Sequence, residues 1–283
     1  MASSQFSLRP VSTTRLACKI CGNGAPLYGV VDMHRPCQIE GGFTPPPLSG
    51  VPIYYRRCGH CGFLFTDAFD DWTQDDFRTH VYNDLYFAFD PHHASSRPCG
   101  NAATVAKLWA PHKTDMRVLD FGGRNNVFCA ALRANGFRDV VPYDPIVREH
   151  AGRPDGKFDL VTCFETLERL SDPLESIERI IECVAEPGAI LYSTLTQPAD
   201  FDRYGVSWWY VGPRNGHISI FTRESLSVAW GRYGYTSVSF DDNLHMAFRT
   251  LPAHWGMTTR RSRSARSQAT SGGQPMRLSR AVA

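Results

Sequence analysis

The chain has 283 residues, 42% hydrophobic and 20% charged, with a net charge of +2. This is ordinary globular composition, enough for one full α/β domain plus a smaller module, and it excludes low-complexity and fibrous classes. No apolar run approaches the roughly 20 residues that span a bilayer, and MASSQFSLRP has no apolar signal core, so a cytoplasmic protein that does not enter membranes is expected.

Residues 1–15 are polar and are expected to be flexible. Two thiol pairs follow, Cys18-Lys-Ile-Cys21-Gly and Cys58-Gly-His-Cys61-Gly. Two residues between the cysteines let both sulfurs face one ion, and the next glycine lets backbone amides face the thiolates. Together Cys18, Cys21, Cys58 and Cys61 supply a closed tetrahedral site, so a structural zinc ion is expected in a module at residues 16–66. The 36 residues between Cys21 and Cys58 exceed usual zinc-ribbon spacing, and the Gly41–Gly50 stretch, GGFTPPPLSG, reads as a loop. His34 and Cys37 in this insert are alternative ligands. Nine cysteines, an odd number, argue against a disulfide framework in a reducing compartment. Ile53–Tyr55 and Phe63–Phe65 read as a short hairpin around the second pair.

Residues 66–93 are rich in Asp and aromatics, including Phe69, Trp72, Phe77, Tyr82, Tyr86, Phe87 and Phe89, and suggest short helices and a loop. Tyr82 and Tyr86 share a helical spacing that suits core packing or a ligand face. A helix is expected over Ala102–Trp109. Then Arg117–Pro145 reads as strand, tight turn, helix, strand. The first strand ends at Asp120 and the turn carries Gly122 and Gly123. The second strand ends at Asp144, 24 residues beyond Asp120. Glycines permit close approach of a ligand to the backbone, and an acid at the second strand tip can accept hydrogen bonds from two ribose hydroxyls. An adenosine-type ligand is therefore expected, beside the plain alternative of an ordinary βαβ unit.

Arg117–Pro145 resembles motif I and the second-strand acid of class I S-adenosylmethionine-dependent methyltransferases. That resemblance implies a Rossmann-like, doubly wound, mostly parallel α/β sheet, with the small zinc module preceding it. It implies S-adenosylmethionine as cofactor, held by Asp120, Gly122, Gly123 and Asp144. Gly122 is in register with the family's spaced glycines, whereas Arg124 and Asn126 stand where the others would be.

After the Asp155–Gly156 turn, Phe158–Phe164 is a near-continuous apolar run that suits a strand buried on both faces. The span from Asp144 to Phe158 is short for another helix and strand, so the sheet's third strand is expected to be missing or vestigial. FDLVTCFETLERLSDP resembles the same family's fourth strand and following turn, which adds Phe164 and Glu165 to the cofactor set; Arg169 replaces the usual histidine. Asp172 as N-cap and Pro173 at the first position start a helix whose apolar face is Leu174, Ile177, Ile180, Ile181 and Val184. Ala189–Thr194 is the fifth strand.

The stretch Gln197–Phe221 is long and aromatic, which marks a functional loop. It leaves the fifth strand at the ligand edge and can cover the methyl donor. Trp208–Phe221 resembles a WWYxxPRNGHxxxF segment of bacterial methyltransferases that also carry an N-terminal two-knuckle zinc module. The methyltransferase domain is thus expected at 67–252. Tyr204, Trp208, Trp209, Tyr210 and Arg214 are candidate substrate contacts, with Arg214 facing an acidic group or acting as a loop staple. His217 is the candidate base, because an unperturbed pKa near 6.5 suits proton removal at neutral pH; holding its own turn is the alternative. A helix over Thr222–Tyr233 follows, then a strand at Tyr235–Phe240 with Thr/Val/Phe inward and Tyr/Ser/Ser outward, and a last strand at His245–Arg249.

Residues 253–283 read as a disordered Arg/Ser-rich tail. The segment 259–283 holds six arginines and no acid, so the remainder carries about −4 and shows no basic nucleic-acid surface; only the tail offers one. The expected activity is methyl transfer (class 2.1.1) to a small molecule such as a sugar nucleotide, polysaccharide precursor or natural-product intermediate. The alternative is a catalytically degenerate, zinc-bearing interaction protein. A nicotinamide dehydrogenase is disfavoured because the turn lacks G-x-G-x-x-G spacing.

Overall fold

A four-stranded and a six-stranded sheet carry the fold. The computed structural model describes residues 15–37, 46–83, 86, 90, 92, 95–123, 126–144, 147, 150, 152–255, 257–259 and 278–280. The expected flexible start, the first half of the Gly41–Gly50 loop, Phe87, Phe89, Arg124 and most of the Arg-rich tail lie outside the described residues.

The N-terminal part opens with β1 (Leu16–Ala17) and β2 (Gly24–Ala25), an antiparallel pair around the first knuckle. Strands β3 (Leu27–Asp32), β4 (Pro52–Arg57) and β5 (Leu64–Phe65) follow as an antiparallel meander. The expected hairpin around the second knuckle is β4–β5. Helix α1 (Gln74–His80) starts at a capping box formed by Thr73 and Asp76 and buries Phe77.

Helix α2 (Ser96–Leu108) begins six residues before the expected Ala102. The sequence Arg-Pro-Cys-Gly looks like a helix breaker, but Pro98 sits in the first turn, where its missing N–H costs nothing. The central unit is β6 (Arg117–Phe121), α3 (Val127–Ala134) and β7 (Asp139–Tyr143). Then come β8 (Phe158–Phe164), α4 (Pro173–Ile181) and β9 (Val184–Ser193). Asp172 caps α4, accepting from the Glu175 amide at 3.0 Å. Val184 belongs to β9 rather than to the end of α4. Its amide-side neighbour Phe158 pairs with it, so sheet hydrogen bonding takes over before Pro187.

Strand β10 (Ser219–Ile220) is followed by α5 (Arg223–Gly231), β11 (Thr236–Ser239) and β12 (Leu244–Phe248). The large sheet runs β11-β12-β9-β8-β6-β7, with β6 to β9 parallel and the β11–β12 edge antiparallel. Among the described residues no strand lies between β7 and β8, as the short connection implied.

Both faces of this sheet are covered, and that corrects the inward/outward assignment at β11. Tyr235 is buried against Trp230, and Ser237 Oγ lies 2.6 Å from Tyr192 Oη, while Thr236 is exposed. One core holds Phe158, Tyr192, Ile177 and Trp230 and extends to the knuckle cysteines. The other holds Val118, Leu160, Phe128 and Trp109. Trp255 stacks edge-on against Trp109 at 5.4 Å, so this core reaches past the expected boundary at 252. The tail is also not wholly irregular: β13 (Met257–Thr259) pairs antiparallel with β14 (Leu278–Arg280).

A third core joins the small sheet to the long loop after β9. It contains Tyr55, Leu64, Trp208, Tyr210 and Ile218. Strand β10, from that loop, pairs with β5 and becomes the fourth strand of the N-terminal sheet. The N-terminal sheet and the loop after β9 are thereby joined through a shared sheet and core.

Candidate functional site

The four knuckle cysteines converge. Their sulfurs all lie within 4.8 Å of one another, with Cys18–Cys61 at 3.6 Å and Cys21–Cys58 at 3.4 Å. Tetrahedral Zn–S bonds of about 2.3 Å place sulfurs about 3.8 Å apart, so the set fits a zinc ion. Amides of Ile20 and His60 point at the Cys18 and Cys58 sulfurs, each at 3.4 Å. The knuckles are built alike: Gly22 (φ +77°) and Gly62 (φ +72°) return hydrogen bonds to the carbonyls of Cys18 and Cys58. His34 instead lies 3.0 Å from the Pro47 carbonyl, and Cys37 lies elsewhere, so neither joins the set.

At the C-terminal edge of the large sheet, Asp120 and Asp144 occupy adjacent strands. Gly122 N–H donates to the Tyr143 carbonyl at 2.8 Å, which holds Asp144 beside the glycine turn. Gly122 has φ +81°, and an added Cβ would meet Thr166 Oγ1 at 2.5 Å. At Gly123 it would meet Asp120 Oδ2 at 1.9 Å. A side chain at either position would displace Thr166 or Asp120, and at Gly122 the positive φ would strain it as well. Asp120 is fully buried and accepts from Thr162 Oγ1 at 2.9 Å. Burial pushes its carboxyl up to about 7; the Thr162 bond opposes that and the charge of Asp144 adds to it. Two buried acids that repel each other suit a ligand bringing hydroxyl donors or positive charge, which a ribose and a sulfonium provide.

Glu165, at the tip of β8, has φ +49°, an uncommon conformation for a residue with a side chain. Its amide donates to Ser193 O at 3.1 Å and Ser193 Oγ at 2.9 Å, and its carboxylate accepts from Arg97 Nη1 at 2.7 Å. Arg97 also pairs with Asp90. Phe164 packs on Phe128, ring centroids 5.5 Å apart, within the second core.

Beside Glu165 opens a cavity of about 810 Å³. Arg97 from α2, Glu165 and Glu168 after β8, Leu195 after β9, and Trp209, Tyr210 and His217 from the long loop line it, with Cys37 from the N-terminal segment. Trp209 is 45% exposed and Tyr210 is buried. The remaining three candidate contacts are placed elsewhere. Trp208 sits in the third core, Tyr204 is exposed, and Arg214 donates to Val81 O at 2.8 Å and Asn83 Oδ1 at 3.2 Å, the geometry of a staple.

His217 is buried. Its Nδ1 lies 3.0 Å from Tyr210 O and 3.2 Å from Cys37 Sγ, so the tautomer that satisfies the carbonyl carries hydrogen on Nδ1 and leaves the Nε2 lone pair open. Burial, reinforced by the Arg169 charge, holds its pKa well below the usual imidazole range. Arg169 is the residue standing in for the usual histidine. It donates from Nη1 to Tyr86 Oη at 2.6 Å and to Asn215 O, and from Nε to Glu165 O at 2.7 Å, pinning the turn to the loop.

Sequence reading missed Asp90, Arg97, Cys37 and Glu168 as cavity residues. The available signal for Glu168 was its position in the turn after a strand tip already marked by Glu165.

A family model described as a methyltransferase domain matches residues 92–239, just over half of the chain. A curated relative, the ubiquinone biosynthesis O-methyltransferase of Escherichia coli (strain K12 / DH10B), is 37% identical over 62 residues, 22% of this chain and 23% of that protein. The chain thus matches about a quarter of the length of the curated relatives. Among solved structures, an O-methyltransferase family protein from Burkholderia thailandensis aligns at 15% identity and TM-score 0.46, covering 64% of each chain. The magnesium protoporphyrin IX methyltransferase of Synechocystis PCC 6803, solved with bound SAH, aligns at 13% identity and TM-score 0.43, covering 64% of this chain and 97% of that one. With the motif I strand, turn and second-strand acid, the tip of β8 and the turn after it all inside the matched span, this chain belongs to the methyltransferase-domain family.

Proposed function

We propose that the protein is an S-adenosylmethionine-dependent methyltransferase acting on a small molecule. The observation that carries this reading is the pair of buried carboxyls, Asp120 and Asp144, on neighbouring strand tips at the Gly122 turn, on the same sheet edge as the Glu165 cavity. In it, Asp120, Asp144, Gly122, Gly123, Phe164 and Glu165 form the cofactor side. Trp209, Tyr210 and His217 form the acceptor side. The methyl donor supplies an electrophilic sulfonium carbon, so the protein's tasks are alignment and exclusion of water. The loop carrying Trp209 and Tyr210 covers the cavity, and His217 Nε2 offers a hydrogen-bond acceptor to the incoming group. The curated relatives are named O-methyltransferases, which supports an oxygen acceptor; a sugar nucleotide, polysaccharide precursor or natural-product intermediate is the proposed kind of molecule. No observation favours the non-catalytic alternative.

The four cysteines would hold a structural zinc ion within a module spanning about residues 16–66, with the catalytic unit following from 67. A closed four-sulfur site leaves no position for substrate, so its contribution is to fix the knuckles. Calorimetric titration with S-adenosylmethionine tests the reading. Binding is expected to be saturable in the micromolar range and weakened at least tenfold by Asp144→Ala; absence of heat up to millimolar ligand would overturn it.

A further inference from the structure

Glu168 is fully buried, yet neither carboxyl oxygen has a well-formed hydrogen bond among the described residues; the Thr194 hydroxyl and the residue's own amide are donors that approach it with poor geometry. Such a group is costly unless something else satisfies it. Its carboxyl lines the cavity and faces charged or titratable groups from every neighbouring element. Arg169 Nε lies 3.9 Å and His217 Nε2 4.0 Å from Oε1. Glu165 lies on the same turn, Tyr210 and His217 on the long loop, Cys37 on the N-terminal segment, and Asp90 and Arg97 across the cavity.

We infer that Glu168 is the catalytic base, taking the proton of an acceptor hydroxyl that binds against its carboxylate in the cavity. This rests on the methyltransferase reading above. His217 Nε2 and the Glu168 carboxylate, 4.0 Å apart, are both acceptors, so the single hydrogen of an acceptor hydroxyl can be donated to only one of them. His217 cannot compete for the proton, because burial and Arg169 keep its imidazole neutral and weakly basic. Burial raises the Glu168 carboxyl to about 7, against the pull of Arg169, which makes its carboxylate the better base at neutral pH. In the step, the acceptor O–H bond breaks and its proton goes to the Glu168 carboxylate. The oxygen pair forms the new O–CH3 bond, and the electrons of the broken S–CH3 bond stay on sulfur. Positive sulfonium and negative carboxylate enter together; neutral thioether and neutral acid remain.

The charge coupling gives a test that needs no acceptor. A sulfonium beside Glu168 favours its ionised form, whereas S-adenosylhomocysteine carries no such charge. Titration of the full chain at pH 7 with each ligand, in phosphate and in Tris, counts protons released. S-adenosylmethionine is expected to release more than S-adenosylhomocysteine by about 0.3–0.5 proton, the share still bound to an acid of pKa about 7. Adenosine-side effects cancel in the difference. Glu168→Gln is expected to remove most of it, the remainder belonging to Asp120, whose carboxyl also stands at about 7, and to weaken S-adenosylmethionine several-fold while leaving S-adenosylhomocysteine within about threefold. In the wild type alone, the difference should peak between about pH 6 and 7 and fall away above about pH 8, which keeps the test open should the variant not fold. Equal proton counts, or a difference undiminished in Glu168→Gln, overturn this inference alone; no binding of either ligand overturns the cofactor reading and the inference with it.

Discussion

Arg35 ties the N-terminal segment to the loop that roofs the cavity. Its guanidinium donates to Val206 O and Ser207 O at 2.7 Å each and to Trp208 O at 3.3 Å, while its own carbonyl accepts from the Arg214 amide at 3.1 Å. A hydrogen bond from a charged donor is worth about 1.5–3 kcal/mol when its loss strands a buried partner. Arg35 is half-buried, and the freed carbonyls can recruit water, so about 1 kcal/mol for each of the two short bonds is the better figure, giving about 2 kcal/mol for Arg35→Ala. At about 2–4 °C per kcal/mol for a chain of this size, the melting temperature should fall by about 4–8 °C. Arg35→Lys can reach one carbonyl and should lose about half as much. Limited proteolysis should find new cleavage within residues 197–221, because the roof is what loses its anchor. Affinity for S-adenosylmethionine should hardly change, since Asp120 and Asp144 sit on the large sheet. A melting temperature within about 1 °C of wild type, with an unchanged digestion pattern, would refute the assignment of Arg35 as an anchor.

Gly122→Ala forces a side chain into φ +81° and against Thr166 Oγ1, and should cost about 2–3 kcal/mol in urea unfolding; Thr166→Ala in the same chain should recover the clash part but not the backbone part. Purified protein should carry a single zinc ion by atomic emission, and Cys58→Ser should lose it together with a drop in melting temperature; a fully stable, metal-free wild type would sink the zinc site. His245 is fully buried, its nitrogens bonded to Ser239 Oγ at 2.7 Å and Thr194 O at 3.0 Å, and burial lowers its pKa to about 4. The unfolded chain therefore binds that proton first as pH falls: the contribution is intact above pH about 6.5 and is lost toward pH 4, about 3 kcal/mol in all. His245→Asn should flatten the wild-type decline in urea stability between pH 6.5 and 4.5, and an undiminished slope would argue against it.

Local signals in the sequence were enough for the parts of the fold that are locally determined. The Asp172–Pro173 start of α4 needs only a capping side chain and a missing N–H. Phe158–Phe164 reads as a doubly covered strand because nothing polar interrupts it but Asp159 and Thr162. The two knuckles were legible because metal geometry constrains spacing along the chain. The destination of the long loop was not legible, because β10 pairs with β5, far away in sequence, and two residues of Ser-Ile carry no address. The same holds for Arg214: a guanidinium that staples Val81 and one that meets a substrate look identical until the Val81 carbonyl is in place. Glu168 was missed for a related reason. In LERL a glutamate reads as the polar side of a surface turn, and only the sheet edge, Tyr210 and Ile218 together bury it.

The charge balance at that edge follows from topology rather than from any one motif. Parallel strands deliver their C-terminal tips, and the turns after them, to one line, so Asp120, Asp144, Glu165 and Glu168 are gathered by the connectivity of β6, β7 and β8. Antiparallel β12 and the roof add few positive groups: Arg169 is committed to Tyr86 and Asn215, and Arg97 to Asp90 and Glu165. Burial raises Asp120 and Glu168 to about 7, and with the guanidiniums of this edge engaged elsewhere the neighbouring acids add to that rise. Their folded pKa values lie above the unfolded ones, so their contribution to stability is present below pH about 4 and is lost as pH rises through 7. A cationic ligand reverses that loss, since it favours the ionised forms that burial at this edge penalises. The same electrostatic deficit that weakens the free protein at neutral pH therefore strengthens its hold on a sulfonium, and stabilisation by S-adenosylmethionine should grow from pH 6 to pH 8.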